Sequence, residues 1–461
     1  MPALNAVSHR LRCVLLWSLL CLAPSSRAAL PWTIDAHHLD AGFWIAQNAG
    51  ADDVLLPRDQ ISAFNRRQFA GDRSLRDLHQ LPEQIDGDTL RTQIASFSQD
   101  PSTRVLASGK PPSKSLRRRW QKDLNLSAIA KHVPVAWGLV TTRADLRTLP
   151  TDTALFSTQG STDLDRLQES ALFPGDAVAI LHHSRDRQWA FVQSDRYAAW
   201  MHQDQLAVGD RQTVLGFATS EPARWILAAT AESSFDPEIA HGLRLDMGVR
   251  LPWVADWPMD QAVSGQLPLA HWVLQAPMRG AAGRLVIRPI LLPKSIASAT
   301  EPLAYSRANL LRQGFRFLGE RYGWGHDDGG RDCSGLIAEI YRSVGIVMPR
   351  NTGDQARSLA FARTELPATM NHSDRLQALG ALQPGDRLYM PGHVMMLVGQ
   401  RDGEFYVLHD AHTARVQDLA GNRRDLTFRG VVVTPLSPLL SEDGRSWIDL
   451  LTVLQTATPA P

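Results

Sequence analysis

Residues 321–336 read Arg-Tyr-Gly-Trp-Gly-His-Asp-Asp-Gly-Gly-Arg-Asp-Cys-Ser-Gly-Leu, and they contain Cys333, the only cysteine beyond residue 21. The glycine-rich loop runs directly into apolar residues at helical spacing: Leu336, Ile337, Ile340, Tyr341 and Val344. This pattern predicts that Cys333 lies at a helix N-terminus, where free N–H groups and the helix dipole favour a thiolate. A nucleophilic cysteine is one interpretation, and a small buried apolar residue is the other.

A predicted hairpin downstream carries the candidate bases. Two apolar, β-prone runs flank the turn Asp402-Gly403, with His393 on the first strand. A two-residue turn would place His393 opposite His412. A three-residue loop with Gly403 in the left-handed region would shift the register by one, so that His393 opposes Ala411 and lies diagonally beside His409. Because such a shift moves every side chain to the other face, geometry alone leaves both His409 and His412 open as partners of His393.

The order of the motifs resembles the NlpC-type, papain-like bacterial cell-wall peptidases over residues 300–435. The shared motifs are Tyr-Gly-Trp-Gly (322–325), Asp-Cys-Ser-Gly-Leu (332–336), Met-Pro-Arg-Asn-Thr (348–352), Leu-x-Pro-Gly-Asp (382–386), Gly-His-Val (392–394) and a later strand histidine. The family usually has a shorter hairpin between its two histidines than this chain has.

The resemblance implies roles for six residues of the site. Cys333 is the implied nucleophile, His393 the general base and His409 the residue that orients His393, which favours the shifted register. Tyr322 is implied to line the oxyanion side of the cleft. Asp332 and Ser334, beside the nucleophile, are implied to meet the amine end of the substrate.

Amide hydrolysis needs these residue types independently of the family. A thiolate attacks the carbonyl carbon, and an imidazole takes and returns the proton. A second group fixes the imidazole tautomer. The Cys333 N–H and the Tyr322 hydroxyl are suitable donors for the oxyanion. The sequence therefore predicts a cysteine peptidase.

Length and charge limit the alternatives. A chain of 461 residues is long enough for three or four domains, and its net charge of +1 gives no argument for nucleic acid or an anionic surface as partner. We expect peptidoglycan stem peptides as the partner, a monomer, and neither cofactor nor metal.

Residues 1–29 are predicted to be a signal peptide. Arg10 and Arg12 form a basic end, an apolar core follows, and Ser26-Arg-Ala28 offers a cleavage site. The core is too short for a transmembrane span, and Leu20 before Cys21 is unlike a lipoprotein signal. We expect an exported protein, periplasmic or of the cell envelope, without a lipid anchor. Cleavage would leave Cys333 as its only thiol.

The predicted fold class is multidomain α+β. A papain-like catalytic domain with N-terminal helices and an antiparallel sheet is preceded by two small SH3-like β-barrels and a mostly helical N-terminal clip. The boundaries are predicted as follows: signal peptide 1–29, clip 30–130, first SH3-like domain 131–208, second SH3-like domain 209–295, catalytic domain 296–440 and a C-terminal tail 441–461.

By resemblance, the first SH3-like domain closes one end of the cleft and binds the free amine of a peptide stem. Glu169 and Tyr197 are the candidates, against the alternatives of a surface carboxylate and a barrel-core aromatic. The implied reaction is hydrolysis of the γ-D-glutamyl–diamino acid amide in stems with a free L-Ala. An N-acetylmuramoyl-L-alanine amidase and a non-catalytic wall-binding protein are the alternatives.

Several further expectations concern individual segments. A helix is predicted over 305–322, a strand over 213–218, an irregular segment over 351–380 at the cleft edge, and a frayed end over 454–461. His326, Asp327 and Asp328 could ligate a metal, but no second cluster accompanies them, so we interpret them as a solvated loop. Four tryptophans are interpreted as core residues rather than sugar platforms: Trp225, Trp253, Trp257 and Trp272.

Overall fold

The structure is a computed structural model that describes residue 30, residues 32–158, 162–237, 239, 241–418 and 421–460. The predicted signal peptide lies outside these described residues. In the described part of the chain, no helix is long and apolar enough to cross a membrane.

The N-terminal region, residues 32–135, contains four α-helices. They are α1 (Ala41–Ala46), α2 (Arg58–Gly71), α3 (Gly87–Phe97) and α4 (Lys114–Asp123), with the short pair β1 (Gln84–Asp86) and β2 (His132–Pro134). Asp86 and Ser113 cap α3 and α4, because their side chains accept backbone N–H groups of the first turn.

This region joins two parts of the molecule. Trp44 of α1 and Phe64 of α2 belong to the hydrophobic core of the catalytic domain. Ile94 of α3 and Trp120 of α4 belong to the core of the β-domains. Burying one large apolar side chain contributes about 1.5–3 kcal/mol, so these anchors together hold the two parts against each other.

The first β-domain is one antiparallel sheet of seven strands. The strands are β3 (Ala136–Val140), β4 (Ala144–Arg147), β5 (Gln168–Leu172), β6 (Ala177–His183), β7 (Trp189–Gln193), β8 (Ala198–His202) and β9 (Leu206–Gly209), in the order β5-β4-β8-β7-β6-β3-β9. The predicted all-β character of residues 131–208 is confirmed.

The second β-domain departs from its prediction. It begins with a helix, α5 (Arg211–Thr219), where a strand over 213–218 was expected. Its strands are β10 (Ala223–Ile226), β11 (Thr230–Glu232), β12 (Arg244–Asp246), β13 (Arg250–Pro252), β14 (His271–Arg279), β15 (Leu285–Pro293) and β16 (Ser298–Ala299). Asp210 caps the helix, and Val214 of α5 and Leu274 of β14 share one core with Phe191 of the first β-domain. The helix forms because its apolar face packs on that joint core, which short-range strand propensity does not reveal.

The catalytic domain packs helices against a six-strand antiparallel path. Its elements are α6 (Arg307–Phe315), α7 (Cys333–Arg342), α8 (Thr352–Arg357), β17 (Phe361–Glu365), α9 (His372–Leu379), β18 (Arg387–Met390), β19 (His393–Arg401), β20 (Glu404–Gln417), β21 (Arg423–Pro435), β22 (Leu439–Leu440), α10 (Trp447–Leu450) and β23 (Val453–Pro459), and the strand order is β17-β23-β18-β19-β20-β21. The apolar face of α7 packs in the same core as Val394 and Leu408 of the sheet.

Three segment predictions in this domain are wrong. The helix predicted over 305–322 ends at Phe315, because residues 319–322 run along β21 instead, with bridges and hydrogen bonds to residues 429–431. Residues 351–380 form α8, β17 and α9 rather than an irregular segment. The predicted frayed end is β23, which pairs with both β17 and β18 inside the sheet, and Ala457 is fully buried. Buried pairing on both sides outweighs its Thr- and Pro-containing composition.

Candidate active site

The nucleophile candidate lies at the first residue of α7, as its sequence context predicts. Asp332 is the N-cap, and its Oδ1 accepts the Gly335 N–H at 2.8 Å. The Cys333 side chain is only 6% exposed. Its Sγ lies 3.7 Å from the Thr352 Oγ1, and the Val394 N–H also faces it. Because Val394 follows His393, the thiol rests against the start of β19.

Burial favours the neutral thiol at Cys333, contrary to the expectation of a thiolate favoured by the helix N-terminus. Burial, and then the Asp332 carboxylate, raise the pKa of Cys333 to about 12, although the Val394 N–H and the Thr352 hydroxyl oppose the shift. Desolvation of the charged form therefore outweighs the helix dipole here.

His393 is half-buried and His409 is buried, and the two rings are in contact. The His393 Nε2 lies 3.0 Å from the His409 Nδ1, and the His409 Nε2 lies 3.0 Å from the Thr434 Oγ1. Burial lowers the pKa of His393 to about 4 and the pKa of His409 well below its usual range, so both rings are neutral at pH 7. A neutral His393 is in the protonation state that a general base requires.

The register shift that brings these two rings together lies inside the strands rather than at the turn. The turn is the two-residue form, with Arg401 paired to Glu404. An irregularity between Leu397 and Gly399 then shifts the register by one, so that Met396 pairs with Leu408. Continued along the strands, this register places His393 opposite Ala411 and diagonal to His409. The shift was predicted at the turn, but the strand interior supplies it.

Gly399, at one end of the irregularity, packs against the N-terminal region. A Cβ atom on Gly399 would stand 2.5 Å from the Trp44 Cε3. Trp44 of the N-terminal region therefore packs directly on the backbone beside the register shift, where only glycine leaves room. The N-terminal region thus supports the catalytic register from a distance in sequence of more than 300 residues.

His412 has a different partner. Its Nε2 lies 3.2 Å from a carboxylate oxygen of Asp163, in the loop between β4 and β5 of the first β-domain, and its ring packs on Tyr322 at 5.7 Å. Asp163 also pairs with Arg429 of β21 at 3.1 Å. The geometry therefore separates the two candidate histidines: His409 contacts His393, and His412 contacts the neighbouring domain.

Tyr322 keeps its proton. Burial, and then the proximity of Cys333, raise the pKa of the phenol far above its usual range. Its backbone N–H donates to the Arg429 carbonyl at 3.0 Å, which fixes the residue against β21. A protonated phenol beside the thiol can donate a hydrogen bond to an oxyanion.

Glu169 and Tyr197 are in direct contact. The Tyr197 hydroxyl donates to the Glu169 Oε2 at 2.5 Å, and the other Glu169 oxygen accepts the Thr148 hydroxyl at 2.8 Å. Burial, and then Glu169, raise the pKa of Tyr197 beyond the normal range, while Arg350 and Asn351 of the catalytic domain oppose the shift. The pair therefore faces the catalytic domain across the cleft.

Arg350 links that pair to the catalytic loop, a role that the sequence analysis did not assign. Its guanidinium donates to the Ser170 hydroxyl at 2.7 Å, to both oxygens of Asp332 and to the Ser334 hydroxyl at 3.0 Å. Burial opposes ionisation of Asp332, but Arg350 and then His326 outweigh it and lower the pKa of Asp332 to about 2. In the sequence, the position of Arg350 within the motif Met-Pro-Arg-Asn-Thr (348–352) was the signal that could have indicated this role.

The interpretation of His326 as part of a solvated loop is wrong. His326 is 3% exposed, with its Nε2 at 3.0 Å from the Glu339 Oε1 and its Nδ1 at 3.1 Å from the Arg350 Nη2. Its pKa lies well below the usual range because of burial and then Arg350, so the ring is neutral. Within the described ranges, no cluster of histidine, cysteine and acidic residues could hold a metal ion.

The glycine-rich loop docks on the first β-domain. Arg143 donates to the carbonyl oxygens of His326, Gly329 and Gly330 at 2.6–2.9 Å. A Cβ atom on Gly325 would stand 2.8 Å from the backbone of Gln168, so the loop touches β5 directly. The glycines therefore allow close contact between two domains at the edge of the cleft.

The contacts of Trp272 bear on whether the four tryptophans are packing residues or surfaces that bind sugars. Its ring is covered by the Arg224 guanidinium at 3.8 Å and the Lys294 ammonium at 4.9 Å, and it packs on Trp253 at 5.6 Å. These contacts occupy ring surface that a sugar would need, and they favour the interpretation as packing residues.

Comparisons with known proteins match the two regions that form the cleft. The model of the NlpC/P60 family matches residues 319–426, and the model of an SH3 domain of the SH3b1 type matches residues 154–202. The first range contains Cys333, His393 and His409, and the second contains Glu169 and Tyr197. The second SH3-like domain, predicted over 209–295, stays a prediction.

Relatives and solved structures agree with these matches. A gamma-D-glutamyl-L-lysine dipeptidyl-peptidase from Bacillus cereus is 28% identical over 186 residues, 40% of this chain and 50% of that protein, so the match spans half the length of the relative. The structure of an NlpC/P60 endopeptidase from Photobacterium damselae subsp. piscicida has a TM-score of 0.73 at 16% identity and covers 92% of this chain and 97% of its own. An NlpC/P60 family protein from Bacillus cereus has a TM-score of 0.47 at 19% identity, over 70% and 100% of the two chains. The Photobacterium structure, with its TM-score of 0.73, shares its fold with nearly the whole chain.

Proposed function

Because the chain carries an NlpC/P60 domain joined to a bacterial SH3 domain, we propose that it is a cysteine peptidase acting on peptidoglycan stem peptides. We propose the γ-D-glutamyl–diamino acid amide as the bond that it hydrolyses. The observation that carries the proposal is the contact between His393 and His409, with 3.0 Å between their ring nitrogens. His393 opens the strand against which the Cys333 thiol rests. The name of the 28% identical relative supports the choice of bond.

The reaction begins with two neutral groups. As substrate binds, the Cys333 thiol transfers its proton to His393, and Sγ attacks the γ-carbonyl carbon of D-glutamate. A tetrahedral intermediate forms, and the C–N bond breaks as His393 returns the proton to the leaving amine. Water then attacks the thioester, gives a proton to His393, and releases the acid while that proton returns to Sγ.

Neighbouring groups support each charge that develops. His409 holds the protonated form of His393 through the short contact between the rings, and Thr434 fixes His409 in turn. The Cys333 N–H and the Tyr322 hydroxyl are the donors proposed for the oxyanion. Losing one such donor typically lowers kcat about 10²- to 10³-fold.

The amine of the stem is proposed to bind where the two domains meet. Glu169 and Asp332 supply negative charge there, and Tyr197 and Ser334 supply hydroxyl groups. Arg350 connects the two domains, because it donates to Ser170 on one side of the pocket and to Asp332 and Ser334 on the other. These contacts occupy its guanidinium group, so Arg350 fixes the shape of the pocket rather than binding the substrate. A carboxylate bound to an ammonium group is a charge-assisted contact, which favours a free L-Ala amine over an acylated one.

Digestion of two defined substrates tests the proposal. Purified residues 30–461 are incubated with a free L-Ala-γ-D-Glu-diamino acid stem and with the same stem capped on its amine by N-acetylmuramic acid, and products are identified by mass spectrometry. We expect release of the diamino acid from the free stem only, lost in Cys333→Ala.

Other products would contradict parts of the proposal. Release of L-Ala-stem from the capped substrate would indicate an amidase. Cleavage of both substrates at the γ-D-glutamyl bond would remove the amine requirement. Cleavage of neither, with retained binding to cell walls, would indicate a wall-binding protein.

A further inference from the structure

Asp410 is a buried carboxyl group that the mechanism above does not use. It follows His409 on β20, and its side chain is 0% exposed. Among the residues that the structure describes, neither of its oxygens has a hydrogen-bond partner. The other buried acids near the site are paired: Asp332 with Arg350, and Glu339 with His326 and Arg331. Asp410 is therefore the exception in a site where buried carboxylates are otherwise neutralised.

The strand places Asp410 on the side of the sheet that packs against α7. Residues two apart on a strand share a face, and Leu408 belongs to the same core cluster as Cys333 and the apolar face of α7. The pairing of residues 408–410 with 431–433 is regular, so alternation holds over this stretch. Electrostatic effects of Asp410 reach both Cys333 and Tyr322. The carboxyl group thus lies on the same side of the sheet as the thiol and within electrostatic reach of the thiol and the phenol.

The charges that face Asp410 do not favour its ionisation. Asp332 at the start of α7 and Glu320 beside β21 are both acidic, and Arg331 is the cation in reach. Arg331 already pairs with Glu320, Glu339 and Asp246. Cys333 and Tyr322, which Asp410 also influences, are themselves protonated. Ionisation of a lone carboxyl group in such a place is strongly disfavoured, whereas the protonated acid carries no such cost.

The titration of the group agrees with this geometry. Burial, then Asp332 and Glu320, raise the pKa of Asp410 to about 9, and Arg331 only partly opposes the shift. At neutral pH the side chain therefore carries an O–H group. A donor without a partner in the free enzyme is what an oxyanion-binding group looks like before substrate arrives.

We propose that Asp410 acts as a neutral carboxylic acid beside Cys333, donating its O–H to the oxyanion of the tetrahedral intermediate together with Tyr322. As a neutral group it also adds no negative charge next to the thiolate during attack. Cys333 and Asp410 are both buried, so a substrate carbonyl that reaches the thiol also enters the region in which Asp410 lies. The donor role rests on the proposed function; the neutral state does not.

The neutral state is tested without substrate. The rate of Cys333 alkylation by iodoacetamide is measured from pH 6 to 10.5 in the wild type, in Asp410→Asn and in Asp260→Asn, an exposed charge-loss control in the second β-domain. We expect equal rates below about pH 8 for all three. Above about pH 8, Asp410 becomes negatively charged in the wild type and in Asp260→Asn, and this charge opposes formation of the Cys333 thiolate. Asp410→Asn lacks that charge, so we expect its Cys333 to react faster. Faster alkylation already at pH 6–7 would show an ionised Asp410, and identical rates at every pH would show that Cys333 does not sense it; either overturns the proposal.

The donor role is tested on the free stem. Asparagine keeps an N–H donor of the same size, whereas alanine removes it. We expect Asp410→Ala to lower kcat about 10- to 100-fold with little change in KM, and Asp410→Asn to stay within about threefold of the wild type. Wild-type kcat in Asp410→Ala, or an equally large loss in both variants, contradicts the donor role. If the alanine variant does not fold, Asp410→Leu, which removes the donor but keeps a side chain of similar size, replaces it with the same expected loss of kcat, and wild-type kcat in Asp410→Leu contradicts the donor role. If the wild-type enzyme cleaves no stem, the proposed function fails, while the alkylation profiles still decide the state of Asp410.

Discussion

Replacing His409 by alanine tests the part of the site that the sequence could not decide. In the structure this ring contacts the His393 Nε2 at 3.0 Å and lies between Phe428 and Trp447, where it is fully buried. Its removal leaves His393 without the group that holds its tautomer and stabilises its protonated form. We therefore expect His409→Ala to slow the step of the reaction in which His393 is protonated.

The size of the effect follows from that contact. A hydrogen bond to a charged group contributes about 1.5–3 kcal/mol, more than one between neutral groups. At about 1.4 kcal/mol for each factor of ten, the expected loss in kcat is about 10- to 150-fold, with KM nearly unchanged. Thr434→Val removes only the hydrogen bond behind His409, between neutral groups, and should cost about two- to tenfold.

Steady-state hydrolysis of the free stem at pH 7 measures these values, with His412→Ala as the matched control. His412 is the other histidine on the same strand, and its contacts are to Asp163 and Tyr322. We expect His412→Ala to stay within about threefold of the wild type in kcat. Full activity of His409→Ala, or a large loss of kcat in His412→Ala alone, would refute the assignment of the pair.

Three further predictions follow from the charges of the site. Arg350→Met should lose about 3–5 kcal/mol of unfolding free energy in urea titrations, because Asp332 remains as an uncompensated buried charge, whereas Arg357→Met, at an exposed position, should lose less than about 0.5 kcal/mol. The alkylation rate of Cys333 should rise with pH up to at least about pH 10, since its pKa is raised to about 12 and that of His393 is lowered; a plateau at pH 5–7 would indicate a thiolate–imidazolium pair instead. Glu169→Gln should raise KM for the free stem about tenfold and leave kcat nearly unchanged, and an equal KM in both enzymes would remove Glu169 from the amine pocket.

The sequence predicted the elements that carry local signals. The glycine-rich loop, together with the apolar helical spacing that follows it, indicated that α7 begins at Cys333. The Asp-Gly turn indicated the β19–β20 hairpin. Both signals lie within a few residues of the feature that they specify.

Features that depend on distant contacts were missed. The register shift at Leu397–Gly399 lies against Trp44 of the N-terminal region, and the last strand, β23, pairs with both β17 and β18. The expectation of a thiolate at Cys333 considered the helix dipole but not burial or the neighbouring Asp332. Burial is a property of the folded molecule, so no local pattern could have revealed it.

Contacts between domains were the other source of error. His326 was interpreted as a solvated loop residue, yet Arg143 of the first β-domain and Arg350 enclose the loop that carries it. The same contacts shape the amine end of the cleft. Sequence motifs identified both sides of the cleft, but the arginines that join them became apparent only in the structure.

Trapping the covalent intermediate tests the central claim most directly. Residues 30–461 are mixed with excess free L-Ala-γ-D-Glu-diamino acid stem, quenched in acid within the first turnovers, and analysed by intact-protein and peptide mass spectrometry. The account predicts an enzyme heavier by one L-Ala-γ-D-Glu acyl group, attached at Cys333 and absent in Cys333→Ala. Steady release of the diamino acid with no acyl group on Cys333, or undiminished release by Cys333→Ala, would contradict it.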